Sequence, residues 1–253
     1  PIPVNDGAAT FSGSHVQYVD YTREGMANFM QSSEPASMMV TGMGEVIENV
    51  INLKGDPVGP RVRGGPTTNG AHYGNADADG NYVVASPPSE ADWFFQSLCS
   101  AHLEQKHQWG EGIGLEDNLF MTNEEWMDYD EGSLFVGIGA HAVDLEENTA
   151  HAIGAFSMGG FEKNVELNSQ NANYVMFGMS GYNGNFAGNS AVLQARKDEY
   201  GTRPDGTDYI WTENVVPFRM YVGAKGFLED GTAAPADDFL ARNGLKYGKV
   251  YGL

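Results

Sequence analysis

Short apolar segments separated by turn-forming residues run through most of the chain, and this pattern predicts an all-β fold of antiparallel strands. The segments share Val, Ile, Phe, Tyr and Met residues bounded by Gly, Asn, Asp or Pro: residues 119–122, 133–144, 151–156, 165–167, 174–179, 215–222 and 249–251. Residues 45–53 and 77–85 follow the pattern more loosely, whereas residues 16–30 fit either a strand or a short helix.

One segment, residues 89–108, has the pattern of a helix instead. Ser89 is a suitable N-cap, and Glu90 and Asp92 would lie in the first turn, where negative charge is favoured. The apolar residues of the segment recur at roughly helical spacing: Trp93, Phe94, Leu98, Ala101 and Leu103. We therefore expect one inserted helix over residues 90–106, with Cys99 as a buried structural thiol rather than a nucleophile.

A hairpin in residues 135–156 favours a β-propeller among the all-β architectures. It has the form strand, Val-Asp-Leu, acidic turn, Thr-Ala, strand, which is the shape of the outer hairpin in many propeller blades. Blades of roughly 40–50 residues would give about five or six of them in this length, although no clean repeat is visible. We expect a propeller-like single domain over residues 1–253, part of a larger propeller, with residues 1–15 as an extended N-terminal arm.

The charge of the chain excludes several classes of partner. There are 14 Lys and Arg residues and 34 Asp and Glu residues in 253, so the formal net charge is −20. Binding to nucleic acid needs a basic footprint, and anionic lipid attracts basic segments, so we predict neither partner. We also predict no membrane insertion, because no apolar run approaches the roughly 18 residues that span a bilayer.

The N-terminus bears on the location of the protein, whereas a single cysteine does not fix the compartment. Residues 1–6 lack an initiator Met and a basic or apolar signal region, which is typical of a processed start. We therefore expect a secreted, periplasmic or cell-surface protein whose signal has been removed; a trimmed cytoplasmic protein is the alternative. A single cysteine, Cys99, excludes an internal disulfide and CxxC motifs.

Two acidic pairs bracket the strand predicted at residues 119–122. Glu116 and Asp117 precede it, and Glu124 and Glu125 follow it. Successive side chains of a strand point to opposite faces, so one carboxylate of each pair can face inward at the end of the strand. Converging carboxylates repel one another unless a cation or a proton intervenes, and Ca²⁺ takes such oxygen ligands. The alternative is a solvated acidic turn.

Further candidate ligands lie in Gly-rich segments. Glu162 follows two glycines and a phenylalanine, and is either held close to another backbone or pairs at the surface with Lys163. Arg61 and Arg63 are the clustered cations best placed to bind phosphate, and His72 lies near them between two glycines. A loop histidine that is merely exposed is the alternative.

Four segments, residues 114–126, 159–163, 218–223 and 238–245, resemble the PhoX-type secreted alkaline phosphatases and their bacterial relatives. The resemblance implies a β-propeller that holds iron and calcium in a central site and hydrolyses phosphate monoesters. Residues 122–125, Thr-Asn-Glu-Glu, match the family's Thr-Cys-Glu-Glu, and Glu162 matches the Glu of its Gly-x-Phe-Glu segment. Asn123 stands where the family has an iron-ligating Cys. Because a neutral amide oxygen cannot replace a thiolate on Fe³⁺, the resemblance favours Ca²⁺ as cofactor over Fe³⁺.

Two functions remain open. The first is a metal-dependent phosphoesterase that hydrolyses a small phosphate ester, with Glu124, Glu125 and Glu162 in the catalytic role. Its metal site would combine these three with the remaining candidates: Glu116, Asp117 and Asn123. The second is a non-catalytic, calcium-stabilised extracellular or surface propeller that has a structural role or interacts with other proteins. The missing Cys and the shortage of basic residues favour the second.

Overall fold

The computed structural model describes residues 12–13, 16–51, 55, 57–60, 75–76, 82–83, 92–95, 98–124, 139–156, 161–181 and 218–252. The strands in chain order are β1 (Ser12–Gly13), β2 (Gln17–Tyr21), β3 (Val40–Glu45), β4 (Asn49–Ile51), β5 (Pro57–Pro60), β6 (Asn75–Ala76), β7 (Tyr82–Val83), β8 (Asp92–Phe95), β9 (Leu98–Glu104), β10 (Leu119–Glu124), β11 (Ala140–Asp144), β12 (Thr149–Ile153), β13 (Phe161–Leu167), β14 (Tyr174–Gly181), β15 (Phe218–Ala224) and β16 (Gly248–Gly252). The helices are α1 (Arg23–Gln31) and α2 (Phe239–Arg242), with 3-10 turns at Ala36–Met39 and Gly154–Phe156. The predicted predominance of antiparallel strands is confirmed.

The predicted strands agree with β10 to β16 wherever they fall on described residues. Residues 133–138 and 215–217 lie outside those residues, and the strand predicted to reach residue 156 ends at Ile153 in a 3-10 turn. The ambiguous segment 16–30 contains both alternatives, β2 and then α1. The helix begins there because the Thr22 hydroxyl accepts a hydrogen bond from the Gly25 N–H at 2.9 Å.

The helix predicted over residues 89–108 is wrong. Residues 92–95 form β8 and residues 98–104 form β9, which pairs antiparallel with β10. Within β9, Glu104 is fully buried while Leu103 is 52% exposed, an alternation with the period of a strand. Three consecutive aromatic residues, 93–95, favour a strand, and pairing with β10 outweighs the approximate helical spacing. Cys99 therefore lies in a strand, partly buried.

Two four-stranded antiparallel meanders make up most of the described structure. The first meander consists of β9, β10, β11 and β12 in sequence order, and the second consists of β13, β14, β15 and β16. The first continues across β12 into β4, which is parallel to it, and then into β5, β8 and β1. Strands β2 and β3, and strands β6 and β7, form separate two-stranded sheets.

The hairpin of β11 and β12 has the side-chain-capped turn that the sequence predicts. Asp144 Oδ1 accepts hydrogen bonds from the backbone N–H groups of Glu146 (2.9 Å) and Glu147 (3.2 Å). The Thr149 hydroxyl donates to the carbonyl of Glu147 at 2.9 Å. Asn148 adopts a φ of 51°, a left-handed conformation that Asn tolerates better than most residues. These contacts fix the register of β11 against β12.

The main apolar core lies between the two meanders. Phe156, which follows the first meander, packs against Phe177 (5.1 Å between ring centroids) and Tyr221 (4.7 Å) of the second. Strands β9 and β13, the first of each meander, also pack against one another. Burial of this shared apolar surface holds the two sheets together. The buried members of the core are Leu115, Leu119, Met121, Ala140, Ala142, Ile153, Ala155, Phe156, Val175, Phe177, Met179, Tyr221, Phe239, Leu240 and Leu245.

A tyrosine lies across two glycines in the second meander. Tyr221 is fully buried, and its hydroxyl donates to the Gly244 carbonyl at 2.8 Å. Gly223 and Gly248 pair across β15 and β16 beside its ring. A Cβ on Gly248 would come within 2.5 Å of that ring, and a Cβ on Gly223 within 1.9 Å of the Gly244 carbonyl oxygen. Only glycine leaves room for the tyrosine at these two positions.

Candidate functional site

Glu116, the first residue of the first predicted acidic pair, lies in the loop between β9 and β10 and is bound by two basic side chains. It accepts a hydrogen bond from Lys225 Nζ at 2.6 Å and lies 2.8 Å from His107 Nε2. Lys225 also donates to the carbonyls of Gly112 (2.9 Å) and Gly114 (2.8 Å). Burial alone would raise the pKa of Glu116, but its hydrogen bonds and ion pairs with Lys225 and His107 outweigh burial and lower the pKa.

Asp117, the second residue of that pair, is attached to α2. Its Oδ2 accepts hydrogen bonds from Arg242 Nε at 2.6 Å and from Asn243 Nδ2 at 2.7 Å. Asn243 Oδ1 in turn accepts from the backbone N–H groups of Glu116 (2.8 Å) and Asp117 (3.1 Å). The first acidic pair therefore joins the β9–β10 loop to the second meander, with its charge compensated by Lys225 and Arg242.

The second predicted group lies at the ends of two strands. Glu124 is the last residue of β10, and Glu162 is an exposed residue near the start of β13. Glu162 is the extra residue of a β-bulge, because Phe161 pairs with Gly181 and Lys163 with Ser180. A bulge of this kind re-aims a side chain and is frequent beside functional sites. The other members of the predicted site lie outside the described residues: Glu125, Arg61, Arg63 and His72.

Asn123 and Asn164 bring these two strand ends together. Asn164 Nδ2 donates to Asn123 Oδ1 at 2.5 Å, and both side chains are fully buried. The backbone N–H of Asn164 donates to Ser100 Oγ at 3.2 Å. Ser100 has a φ of 63° where the pairing of β9 with β10 shifts register. Glu124, one residue beyond Asn123, and Glu162, two residues before Asn164, therefore lie at the same end of the packed strands.

The iron and calcium that the resemblance implies fit these side chains unequally. Asn123 offers no anionic donor: its oxygen accepts from Asn164, and its Nδ2 is a buried donor without a hydrogen-bond partner. This does not fit Fe³⁺, which the family holds with a thiolate. Glu124 and Glu162 are carboxylates of the type that Ca²⁺ takes. In the part of the chain that the structure describes, no three His, Cys, Asp or Glu side chains are grouped as metal ligands.

A second acidic group, which the sequence did not predict, is buried between β9 and β13. Glu104 is fully buried and Glu166 is 1% exposed. Gln108 Nε2 donates to Glu104 Oε2 at 2.7 Å and to Glu166 Oε2 at 2.5 Å. A signal for Glu104 was present in the sequence, because Ser100, His102 and Glu104 form one polar face if residues 98–104 are a strand. The prediction of a helix for these residues did not take this alternation into account.

The pKa of the Glu166 carboxyl is raised above its ordinary value. Burial raises the pKa of Glu166 to about 7, and the neighbouring Glu104 charge adds to the rise, while the hydrogen bond from Gln108, the backbone N–H of Leu115 and the charge of Lys225 oppose it. Its Oε1 atom is buried without a hydrogen-bond partner. The group is thus suited to hold a proton near neutral pH.

A cleft of about 260 Å³ lies beside α2. Its wall includes His151, whose ring stacks on Phe239 with centroids 4.6 Å apart. Burial lowers the pKa of His151 to about 4, so the imidazole is neutral at pH 7. The charged residues of the lining are mostly acidic: Glu229, Asp237, Asp238 and Lys246. This composition attracts a positively charged group rather than a phosphate.

Comparison with known proteins found no match: no family model, no curated protein and no solved structure matches the chain. The resemblance to PhoX-type phosphatases therefore stays a prediction from the four segments that carry it. Of the described helices, none has both the length and the apolar character needed to cross a membrane.

Proposed function

We propose that this chain is a non-catalytic, propeller-like β-protein with a structural or interaction role outside the cytoplasm, stabilised by Ca²⁺. The observation that carries the proposal is the pairing of Glu116 with Lys225 and of Asp117 with Arg242, each at 2.6 Å. Phosphoryl transfer needs cations that face an anionic substrate. Here Lys225 and Arg242 instead neutralise carboxylates of their own chain and join two sheets.

The propeller part of the proposal is supported by the two consecutive meanders. Propeller blades are four-stranded antiparallel sheets arranged around a central channel. The meanders have that strand number and order, share an apolar core and pack through their first strands, β9 and β13. Those two strands would then lie nearest the channel. An experimental structure in which β9 and β13 lie on opposite sides of the molecule would contradict this arrangement.

The calcium part is supported by the shared end of β10 and β13. Glu124 and Glu162 lie there, and Glu125 follows Glu124 directly in the sequence. Two or three carboxylates at one strand end form a set of hard oxygen donors, which suits Ca²⁺. Bound there, the ion would offset part of the −20 charge of the chain.

A phosphatase assay tests the non-catalytic role. We expect the purified chain to hydrolyse phosphate monoesters no faster than buffer, with Ca²⁺, with Fe³⁺ or with both, while elemental analysis finds calcium and no iron. Metal-dependent hydrolysis that is abolished in Glu124→Gln and Glu162→Gln, but retained in the hairpin-turn control Glu146→Gln, would overturn the proposal.

That same result would establish the second candidate, a metal-dependent phosphoesterase. The observation in its favour is the irregular backbone at the predicted site: Glu162 is bulged out of β13, and Ser100 of β9 is left-handed nearby. Bulges and rare backbone conformations cluster at functional sites. In this candidate the chain's own Glu124 and Glu162 would bind the ion and orient the substrate, and the ion would polarise a phosphoryl oxygen.

A further inference from the structure

Two buried carboxylates face each other across the contact between the meanders, and one amide group bridges them. Glu104 belongs to β9 and Glu166 to β13. Beyond the bridge through Gln108, the backbone N–H of Glu166 donates to Glu104 Oε1 at 2.8 Å. The carboxyl groups of Glu104 and Glu166 thus contribute directly to the attachment of one meander to the other.

The group is unequally supplied with hydrogen-bond donors. Both oxygens of Glu104 accept hydrogen bonds, from the Glu166 N–H and from Gln108. Glu166 accepts from Gln108 through Oε2, while its Oε1 is buried with no hydrogen-bond partner. A buried carboxylate oxygen that lacks a donor favours the neutral acid, because Gln108, the Leu115 N–H and Lys225 compensate the charge less than burial penalises it.

The charged groups around Glu166 do not remove this imbalance. On β9, His102 Nε2 lies 3.4 Å from Glu104 Oε1 and therefore acts on Glu104 first. Lys225, in the turn after β15, lowers the pKa of Glu166 through its charge but does not offset burial, since it is bound to Glu116 and to two backbone carbonyls. On β14, the residue opposite Glu166 is Phe177, which brings no charge.

We infer that Glu104, Gln108 and Glu166 form a proton-binding site that makes the attachment between the two meanders depend on pH. The proton comes from water and binds to Glu166, leaving one negative charge shared by the two carboxyl groups. Loss of the proton places two negative charges on either side of one amide inside the protein. The contact between β9 and β13 is weakened in that state, because like charges repel and burial penalises both.

A proton suits this place better than a metal ion does. Gln108 presents its Nε2 donor, and not its carbonyl oxygen, to both carboxylates. An amide donor repels a cation at the position where the ion would have to lie. The inference is independent of the calcium proposed for the end of β10 and β13, since it involves none of those carboxylates.

The direction of the pH effect follows from the pKa of Glu166, which is raised from 4.5 to about 7 on folding. The folded chain therefore holds a proton that the unfolded chain releases at lower pH. The stability that this group contributes is complete below about pH 4.5 and is lost as the pH rises through about 7.

The test compares the wild-type chain with Glu166→Gln, in which a neutral amide replaces the acid. Denaturant unfolding is measured for both at intervals from pH 5 to pH 8. We expect the unfolding equilibrium constant of the wild type, divided by that of the variant, to rise roughly tenfold per pH unit between pH 5 and 7 and then to level off. Contributions from the buried histidines are common to both proteins and cancel in the ratio.

Glu146→Gln in the exposed β11–β12 turn is the matched control, and its ratio to the wild type should stay constant. A constant ratio for Glu166→Gln as well would overturn the inference.

If Glu166→Gln does not fold, infrared spectroscopy of the wild type decides the question. We expect the wild type to show the band of a protonated carboxylic acid at pH 6 and to lose it by pH 8. In Glu104→Gln the band should disappear at a lower pH, because the neighbouring negative charge is gone. Absence of the band at pH 6 would equally overturn the inference.

Discussion

Asn243 is the residue on which the attachment of the β9–β10 loop to α2 most directly depends. Its fully buried side chain accepts from the N–H groups of Glu116 and Asp117 and donates to Asp117 Oδ2. As the C-cap of α2, it also donates to the Phe239 carbonyl at 2.9 Å. The full hydrogen-bonding capacity of one amide is thus used at one junction.

Replacing Asn243 with Ala should therefore destabilise the chain by about 3 kcal/mol, because two N–H groups and Asp117 lose a buried partner together. Chemical denaturation measures the change. Asn168→Ala, at an exposed turn position, is the control and should change stability by less than about 1 kcal/mol. A loss below about 1 kcal/mol for Asn243→Ala as well would contradict the role given to this junction.

Two histidines in the hairpin of β11 and β12 are held neutral by burial. Burial lowers the pKa of His141 to about 3 and that of His151 to about 4. Their stability contribution is complete above about pH 6.5, the ordinary value, and is lost as the pH falls towards 4, because the unfolded chain then binds protons that the folded chain does not.

We therefore expect the NMR signals of both imidazole rings to change little between pH 7 and pH 5. The same rings in the urea-unfolded chain should titrate across that interval, which provides the control. A folded-state titration of His141 at pH 6 would show that water reaches the ring.

At the scale of single elements, local chemistry decided what the sequence could predict. The β11–β12 hairpin was predictable because Asp144, Asn148 and Thr149 carry the turn signal within a few residues of one another. The strand β9 was not, because its identity depends on hydrogen bonds to β10, and the chain must first turn back on itself. When a segment has both helical spacing and aromatic residues, pairing with a neighbouring strand decides whether it forms a strand or a helix.

Substitution of a glycine beside Tyr221 should destabilise the second meander. Gly223→Ala should cost about 3 kcal/mol or more, since its Cβ would fall 1.9 Å from the Gly244 carbonyl oxygen and either β15 or the loop after α2 must move. Thermal and denaturant unfolding measure the loss.

Gly178→Ala in β14 is the matched control, because its Cβ would meet Leu167 Cδ1 at an ordinary 3.4 Å. We expect that variant to differ from the wild type by less than about 1 kcal/mol. If Gly223→Ala were tolerated as well, Tyr221 would have to occupy a different position from the one described.

For the whole molecule, the sequence carries a signal for Glu124 and Glu162, whose site stays a prediction, but none for the contact of Glu116. The family resemblance assigns Glu124 and Glu162 to one site. In the structure, packing of β10 against β13 brings the two residues to the same end of these strands. The ion pair of Glu116 with Lys225 had no sequence signal, since the partners are 109 residues apart. Only the relative position of the two meanders determines such a contact.

The proposed calcium ion predicts a response of the whole fold to chelation. A ligand that binds only the native state stabilises it by about 2.7 kcal/mol at 100 times its dissociation constant. A chelator should therefore lower the melting temperature by several degrees, and added Ca²⁺ should restore it. Differential scanning calorimetry measures both steps.

The carboxylate variants locate the ion. Glu124→Gln and Glu162→Gln should each reduce the shift caused by the chelator, whereas Glu146→Gln should leave it unchanged. A melting curve that does not respond to the chelator would remove calcium from the proposal.

The two ion pairs that join the meanders also set an order of events during synthesis. Lys225 follows Glu116 by 109 residues, and Arg242 follows Asp117 by 125. At roughly 5–20 residues per second, a ribosome needs several seconds to supply the second member of each pair. During that interval the nascent first meander carries an acidic loop in which His107 is already present beside Glu116, but Lys225 and Arg242 have not yet been made. The loop can close only once nearly the whole second meander has emerged, so assembly of the two sheets is a late event in the life of the new chain.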